Sequence, residues 1–213
     1  MYFDFSELTG RDTYKLMTAT VVPRPIAWVV SQDDAGRLNA APFSFFGLMS
    51  GEPPVIAIGV GSRNGEMKDT GRNLRQGASF VVNLVSRQLL EQMNVTAVDF
   101  DSSVDELAEA GLETAPSVKV APPRIQASPV AYECVVEYVH ALGGNRSIAI
   151  ARVLGMHVHD QAMLDPARLY VDTAGLGLVG RMHGGTWYSL QTDLLELPRI
   201  TEADYRGRGA LAQ

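Results

Sequence analysis

Short runs of apolar, mostly β-branched residues, most of them next to glycine or proline, recur along this chain of 213 residues. They predict strands over residues 26–31, 55–60, 79–85, 129–140 and 148–158. In the fourth run, apolar side chains from Val130 to Tyr138 alternate with Glu133 and Glu137, as in a strand with one face in the core. Short strands separated by turns are typical of a barrel or a sandwich.

Helical patterns are few and predict helices over residues 70–76, 86–97 and 103–111. The third begins at Ser103, which with Glu106 three residues later matches a capping box. No linker clearly divides the chain, so we expect a single domain over residues 1–213. Residues 205–213 are rich in Arg, Gly and Ala, and we expect them to fray.

Charge and cysteine content exclude several classes of protein. The net charge of -6 at pH 7 argues against nucleic acid or an anionic membrane as a partner. No apolar run is long enough to span a bilayer, and the N-terminus lacks a signal-peptide pattern. The one cysteine, Cys134, excludes an internal disulfide and lies in the middle of a strand, so we expect a buried thiol in a cytoplasmic protein.

A segment after the turn at residues 34–36 combines groups that suit a flat heteroaromatic ligand. Residues 39–46 contain Asn, Pro, Ser and three Phe within eight positions. This mixture is too irregular for an ordinary strand and predicts a loop with free backbone donors and acceptors beside an aromatic surface. We therefore expect residues 38–50 to contact a ring rather than to extend a sheet.

Residues 62–72 predict an anion site. They join a predicted strand to a helix N-terminus, where unpaired backbone N–H groups and a partial positive charge favour a phosphate. The cations Arg63, Lys68 and Arg72 lie in the same segment, together with the hydroxyls of Ser62 and Thr70. The alternative is a solvated loop with ordinary surface charges, which spacing alone favours slightly.

A glycine pattern near the C-terminus has no structural context. Gly175, Gly177 and Gly180 match the G-x-G-x-x-G signature of dinucleotide-binding folds. That signature has meaning only between a strand and a helix, and residues 181–186 do not start a helix. Only 33 residues follow Gly180 (213 minus 180), too few for such a domain. We therefore interpret the match as accidental.

Other chemistry-bearing residues have weaker support. His157 and His159 lie two positions apart, so on a strand both face one way, and with His140 or His183 they would form a metal site. An exposed barrel face is the simpler interpretation. No G-x-S-x-G elbow is present, so a hydrolase has little support. Residues 181–188 are Gly-rich and aromatic, and they suit either ring stacking or an interface.

Several segments, in their order along the chain, resemble the flavin reductase-like family of FMN-binding split barrels. The matching segments are residues 23–29, 34–39, 41–46, 53–54, 68–73, 80–83, 143–145 and 180–185. They are specific as a set and extend over most of the chain. The resemblance implies a mainly β fold, an antiparallel Greek-key split β-barrel with a few peripheral helices. It also implies a homodimer with FMN in a groove at its interface.

Carried over position by position, the resemblance implies a set of FMN-binding residues. Those lining the ring and the ribityl chain would be Asn39, Ala41, Pro42, Ser44 and Phe45. Those holding or framing the phosphate would be Ser62, Arg63, Lys68, Asp69 and Thr70. Asn83 would also contribute, and Arg181 and Gly184 would close the site. The same loops were identified above as a ring surface and an anion site, and this agreement strengthens both predictions.

The resemblance also implies an activity, hydride transfer from NAD(P)H to flavin. In this chemistry the flavin is the reactive group, so we expect no catalytic side chain. One departure weakens NAD(P)H as the donor, because residues 143–145 read Gly-Gly-Asn where short-form reductases carry Gly-Asp-His. A flavoredoxin-like FMN electron carrier is therefore the alternative, and a His-based metal or haem barrel is a third. A monooxygenase or electron-transfer partner is compatible with either flavin function.

Overall fold

The computed structural model describes residues 1–207, and strands make up most of its regular structure. The strands are β1 (Ala27–Gln32), β2 (Leu38–Phe43), β3 (Phe46–Gly51), β4 (Pro54–Val60), β5 (Ser62–Arg63), β6 (Glu66–Met67), β7 (Ser79–Leu84), β8 (Thr114–Ala115), β9 (Arg124–Ile125), β10 (Val130–Gly143), β11 (Arg146–Val158), β12 (Met163–Asp165), β13 (Tyr170–Val171), β14 (Val179–Arg181) and β15 (Tyr188–Leu190). The helices are α1 (Gly10–Thr20), α2 (Asp69–Asn73), α3 (Leu90–Val95), α4 (Glu106–Glu109) and α5 (Glu202–Gly207). Shorter 3₁₀ turns lie at Arg87–Leu89, Asp160–Ala162 and Pro166–Arg168. Within residues 1–207, no helix combines the length and the apolar character needed to cross a membrane.

Seven strands form one antiparallel sheet in the order β2-β1-β7-β10-β11-β4-β3. Strands β2 and β3 lie at opposite edges of this sheet, yet only Ser44 and Phe45 separate them in the chain. The sheet must therefore curl until its two edges approach each other. A hydrogen bond of 2.7 Å from the Gly59 N–H to the Phe45 carbonyl fastens this crossing to β4. The predicted mainly β, antiparallel fold is confirmed.

Alternate side chains of the sheet enter two different cores. The inner core collects residues from six of the strands, among them Val29, Ile58 and Phe80. The outer core lies against α3 and α4 and contains Trp28 and Leu107. Neighbouring residues of a strand face opposite sides, so Trp28 and Val29 belong to different cores. Because both faces are buried, a one-residue slip of β1 would exchange the two sets, and the register is fixed.

Residues 38–50, expected to form no ordinary strand, contain β2 and β3, so that prediction was wrong. Pro42 is compatible with β2 because β2 is an edge strand with one unpaired side. Ala40 donates its N–H to Glu106, and Pro42, two residues on, faces the same way and needs no donor. An edge strand needs hydrogen bonds on one side only and therefore tolerates an irregular composition. For this reason the composition of β2 did not predict a strand.

The predicted helices are real but shorter than expected. The helix expected over 70–76 ends at Asn73, and that over 86–97 divides into a 3₁₀ turn and α3. The capping box was wrong, since α4 follows Asp105, whose carboxylate accepts the N–H groups of Leu107 and Ala108. Helix α1, capped by Thr9, was not predicted. Of the tail expected to fray, residues 205–207 belong to α5 and residues 208–213 lie outside the described part.

Cys134 lies in the inner core, as predicted. It is fully buried, and burial raises the pKa of its thiol to about 12. A thiol in this state is neutral at physiological pH and has no nucleophilic character. Cys134 therefore packs as a small hydrophobic side chain.

A buried carboxylate fastens the connection between β8 and β9 to the sheet. Glu133 on β10 is 1% exposed and accepts the N–H groups of Val118 and Lys119 at 2.7 and 2.5 Å. His157 on β11 makes a third contact with it at 2.5 Å. Burial opposes ionisation, but the hydrogen bonds from His157 and the two backbone groups outweigh it and lower the pKa of Glu133.

We expect Glu133→Ala to lower the free energy of unfolding by about 2–4 kcal/mol, because two backbone N–H groups lose a charged acceptor. The folded pKa of Glu133 lies below its unfolded value. The ionic part of its stabilisation is therefore complete above about pH 5 and is lost as the pH falls through the folded pKa. Urea unfolding of both proteins between about pH 7 and pH 3 should show the difference shrinking.

The matched control is Glu137→Ala, which removes a half-exposed carboxylate of the same strand that pairs with Arg152. Exposed ion pairs contribute little to stability, so this variant should lower the free energy of unfolding by less than about 1 kcal/mol at any pH. An equal loss in the two variants would contradict the role assigned to Glu133.

Candidate functional site

Two adjacent cavities open beside β2 and share Pro42 and Ala97 in their walls, and together they are called the groove below. The polar cavity, about 110 Å³, is lined by Asn39, Ala41, Pro42, Arg63, Lys68, Asp69, Thr70, Asp99, Glu106 and residues 96–98 and 100. The aromatic cavity, about 500 Å³, is lined by Tyr14, Ile26, Pro42, Phe43, Ser44, Leu90, Glu91, Met93, Asn94, Ala97, Arg181, Gly185, Thr186 and Tyr188. The groove is thus charged at one end and mainly aromatic and aliphatic at the other.

Two of the three cations predicted for the anion site are neutralised by carboxylates. Arg63 contacts Asp99 at 3.0 Å, and Arg72 contacts Asp69 at 2.5 Å. Lys68 has no carboxylate oxygen within 4.0 Å in the part of the chain that the structure describes. Its ammonium lies 5.8 Å from the centre of the Phe43 ring. Lys68 therefore supplies the cavity with positive charge that is not already used in an ion pair.

Helix α2 begins at the polar cavity. Its N-cap residue is Lys68, whose side chain makes no capping hydrogen bond to the first turn. The opening N–H groups of an α-helix have no partner inside the helix, so those of α2 remain available to water or a ligand. Together with the ammonium of Lys68, they provide the hydrogen-bond donors that an anion requires.

Three polar side chains form a chain of hydrogen bonds in the polar cavity. The buried Thr70 hydroxyl donates to Asn39 Oδ1 at 2.8 Å, and Asn39 Nδ2 donates to Glu106 Oε1 at 2.9 Å. The second oxygen of Glu106 accepts the Ala40 N–H at 3.0 Å. Burial raises the pKa of Glu106 against the effect of these hydrogen bonds, and Asp69 adds to the rise. Both ends of the Asn39 amide are therefore engaged by protein groups.

The aromatic cavity brings together α1 and the hairpin of β14 and β15. Arg181 of β14 lies over the ring of Tyr188, 4.6 Å from its centre, and donates to the Gly185 carbonyl. Tyr14 of α1 stacks on Phe45 with 6.1 Å between ring centres. Phe45 is 50% exposed beside the groove. A planar heteroaromatic ring would find both stacking surfaces and a cation in this region.

Arg24 connects α1, the β2–β3 crossing and the region around β14. Its guanidinium is buried and donates to the carbonyls of Thr18, Val21 and Met182 at 2.8, 2.9 and 2.7 Å. Its Nε–H group donates to the Ser44 hydroxyl at 3.3 Å. Burial lowers the pKa of Arg24, but an arginine keeps its charge at physiological pH. One buried cation thus connects the β2–β3 crossing to α1 and to the segment after β14.

The structure brings nine of the predicted binding residues to the groove. These are Asn39, Ala41, Pro42, Ser44, Arg63, Lys68, Asp69, Thr70 and Arg181. Phe45 and Gly184 adjoin lining residues without lining a cavity themselves. Ser62 lies in the short hairpin of β5 and β6, where it pairs with Met67.

Asn83 does not reach the groove. It is 0% exposed, its Nδ2 donates to the Trp28 carbonyl, and its Oδ1 accepts the Ile125 N–H. These bonds connect β7 with its neighbour β1 and with β9, which belongs to a separate two-stranded sheet. A ligand in the groove has no access to it, and the position assigned to Asn83 by the resemblance is corrected on this ground.

The sequence prediction missed the roles of Tyr14 and Glu106, which line the groove, and of Arg24, which supports it without lining it. Tyr14 belongs to the unpredicted helix α1, which is polar on average and buries Thr18 rather than an apolar side chain. Arg24, between Pro23 and Pro25, was noted as part of a motif without a role. Glu106 was assigned to a capping box, which hid its contact with a strand 66 residues away in sequence.

The histidines do not form the metal site considered above. His157 is bonded to Glu133, and His159 Nε2 contacts the Gln126 carbonyl at 3.1 Å. Within residues 1–207, no three His, Cys, Asp or Glu side chains are grouped as metal ligands. The glycines from Gly175 to Gly180 lead from a loop into β14, so they do not join a strand to a helix.

The curled sheet with its open groove defines a split barrel. A protein from Shewanella frigidimarina with a split barrel domain superimposes with a TM-score of 0.79 at 19% identity, covering 94% of this chain and 100% of that chain. At this identity the likeness concerns the fold alone. The predicted split-barrel class, with helices outside the sheet, is confirmed.

The chain belongs to the flavin reductase like family, whose domain model matches residues 17–174. A protein of Deinococcus radiodurans is 43% identical over 210 residues, 96% of this chain and 92% of that protein. The Pseudomonas fluorescens 2-nitrobenzoate 2-nitroreductase NbaA is 32% identical with a TM-score of 0.86, over 95% of this chain and 98% of that chain. Nitrilotriacetate monooxygenase component B from Bacillus cereus is 30% identical with a TM-score of 0.86, over 92% and 98%. The predicted family is confirmed.

We expect Arg24→Lys to lower the free energy of unfolding by about 2–4 kcal/mol, because an ammonium cannot reach all of the acceptors that the planar guanidinium contacts. Hydrogen exchange followed by mass spectrometry should accelerate in α1 and around β14, and not in β10. The control Arg11→Lys changes an exposed arginine of α1 and should alter stability by less than about 0.5 kcal/mol. Unchanged exchange in α1 of Arg24→Lys would show that Arg24 does not hold this helix.

Proposed function

We propose that this protein binds FMN in the groove and acts as a flavin-dependent oxidoreductase with NAD(P)H as the electron donor. The observation that carries the proposal is that the two cavities are adjacent and share Pro42 and Ala97 in their walls. At one end of the groove, the Lys68 ammonium has no carboxylate partner among residues 1–207 and lies beside the first N–H groups of α2, and the other end offers aromatic surface. FMN has the same layout, since a ribityl chain joins its phosphate to a planar ring.

The residues present fit this ligand. Lys68 and the first N–H groups of α2 would hold the phosphate, and Arg63 would join them if its contact with the exposed Asp99 opened. Thr70 and Asn39 would act indirectly, because their side chains are bonded to each other. The unpaired edge of β2 between Ala40 and Pro42 would present carbonyl acceptors to the polar rim of the ring.

Flavin supplies the redox chemistry when bound, by accepting a hydride from a nicotinamide and passing electrons on. The protein's own contribution is to bind the ring, to orient it and to limit access of water to the aromatic cavity. No side chain in the groove is required as a base for hydride transfer. Arg181, over Tyr188, would place positive charge near the ring and stabilise negative charge that develops on it.

The names of two relatives support an oxidoreductase and extend the proposal to partners. One is a 2-nitrobenzoate 2-nitroreductase and the other is component B of a nitrilotriacetate monooxygenase. We propose that this protein either reduces a small acceptor itself or delivers reduced flavin to a separate oxygenase. A cytoplasmic location, expected from the lone buried cysteine, belongs to the same proposal.

A homodimer is also part of the proposal. Apolar side chains are exposed around β3 and β11, with Leu48 at 72% and Met156 at 55%. They border a cavity of about 440 Å³ that is almost entirely apolar. Apolar surface of this kind is typical of an interface between protein chains.

The second candidate function is an FMN electron carrier that does not use NAD(P)H. The observation in its favour is the turn between β10 and β11. Asn145 occupies the left-handed conformation there and donates its side-chain amide to the Gly65 carbonyl at 2.7 Å. The turn lacks the Gly-Asp-His segment of short-form reductases. The Asn145 side-chain amide instead connects the turn to the β5–β6 hairpin.

We expect Lys68→Ala to weaken FMN binding by about 1.5–3 kcal/mol, because one charge-assisted contact to phosphate is lost. Riboflavin, which lacks the phosphate, should bind both proteins equally. Quenching of flavin fluorescence gives both affinities. The control Lys119→Ala removes an exposed lysine that does not line the groove. A similar loss of riboflavin affinity in Lys68→Ala would contradict the assignment of the phosphate to Lys68.

Anaerobic addition of NADH or NADPH to the FMN-loaded protein should bleach the flavin absorption with at least one of the two donors. Bleaching would establish a reductase and identify its nucleotide. Flavin that stays oxidised with both donors, but is reduced by dithionite, would favour the carrier instead. Absence of bound flavin after incubation with excess FMN would contradict both candidate functions.

A further inference from the structure

Glu106 connects α4 to the strand that borders the groove. Its two oxygens accept the Asn39 side-chain amide at 2.9 Å and the Ala40 N–H at 3.0 Å. The Ala40 donor belongs to the free side of an edge strand, so the carboxylate takes the place that a neighbouring strand would occupy. The position of β2 beside the polar cavity therefore depends on Glu106.

The carboxylate lies in a cavity of mixed charge. The charged groups that line this cavity with Glu106 are Lys68 at the N-cap of α2, Asp69 from α2, Arg63 from β5 and Asp99 from the segment after α3. Asp105, the N-cap of α4, and the exposed Glu109 on the same helix do not line it. Strand β2 contributes no charged side chain. Arg63 and Asp69 are each neutralised by an ion pair. Lys68 and Glu106 are therefore the charged side chains of this cavity that lie outside those ion pairs, so a bound ion would affect them most.

An anion in the polar cavity would act on the ionisation of Glu106, which lines the same cavity as Lys68. This carboxyl is already half-buried, and burial together with Asp69 raises its pKa. A phosphate bound at Lys68 would neutralise that ammonium and place further negative charge beside the carboxylate. Uptake of one proton by Glu106 would remove one of two adjacent like charges, and this lowers the free energy of the complex.

We propose that Glu106 is a positioning residue that takes up a proton when the phosphate of FMN enters the polar cavity, so that anion and proton bind together. This inference rests on the proposed function, which names FMN as the source of the anion. A protonated Glu106 keeps acceptor lone pairs for Asn39 and Ala40 and gains one O–H donor. Binding of the FMN dianion therefore tightens as the pH falls.

Isothermal titration calorimetry in buffers of different ionisation enthalpy counts the protons taken up when FMN binds. Between about pH 5.5 and 7.5, we expect wild type to take up a fraction of a proton more than Glu106→Gln. The ligand's own phosphate ionisation near pH 6 cancels, because both proteins bind the same ligand. Glu109→Gln removes an exposed carboxylate of the same helix and should match wild type. Equal counts for wild type and Glu106→Gln would overturn the proposal.

A second measurement uses wild type alone and does not depend on the folding of a variant. The affinity for FMN, corrected to the dianion, should fall as the pH rises, by up to about tenfold per pH unit for one linked proton. Riboflavin affinity should stay constant over the same range, because riboflavin brings no phosphate into the polar cavity. A flat profile for FMN would overturn the proposal.

The failure of this inference can be distinguished from the failure of the proposed function. Absence of FMN binding at every pH would remove the proposed function and the inference with it. FMN binding with proton counts that do not depend on Glu106 would remove the inference and leave the flavin site in place.

Discussion

The passage of the chain from one edge of the sheet to the other, at Ser44 and Phe45, is the constraint on which the rest of the structure depends. It forces the sheet to curl, and it sets β2 beside the groove. Ser44 is held by Arg24, whose other donors are taken by carbonyls of α1 and of the segment after β14. A buried cation needs such partners, because an unpaired charge in the interior is very unfavourable. The requirement to satisfy one guanidinium therefore holds α1 and the segment after β14 beside the site.

The polar end of the groove is built with nearly balanced charge. Arg63 and Arg72 each contact an aspartate, and Lys68 and Glu106 line the same cavity without forming an ion pair. A cavity of this kind stays stable when empty, because no strong repulsion between like charges remains. An arriving anion would find Lys68 without a carboxylate partner among the described residues, whereas Arg63 would first have to leave Asp99. Selectivity for a phosphate would then come from the free N–H groups of α2 and the geometry of the groove, more than from net positive charge.

The sequence predicted the strands of the sheet well, because buried strands carry continuous β-branched runs that no other structure explains. It also indicated the segment that lines the polar cavity, where cations precede a helix start. It failed for groups whose role depends on distant partners. Glu106 acts on β2 through a contact that no local pattern encodes, and Asn83 was assigned to the ligand although its amide is bonded to β1 and β9. Strand β2 was hidden because its irregular composition is permitted by an unpaired edge.

That unpaired edge has a consequence for how the molecule behaves in a crowded solution. An exposed strand edge normally invites another strand to pair with it, and this is a common route to aggregation. On the open side of β2, Pro42 has no N–H to offer, and the Ala40 N–H is occupied by Glu106. An incoming strand would therefore find no free N–H group at Ala40 or Pro42, so a ladder could not continue along this part of the edge. The edge can remain open to a small ligand while it stays closed to the backbone of other proteins.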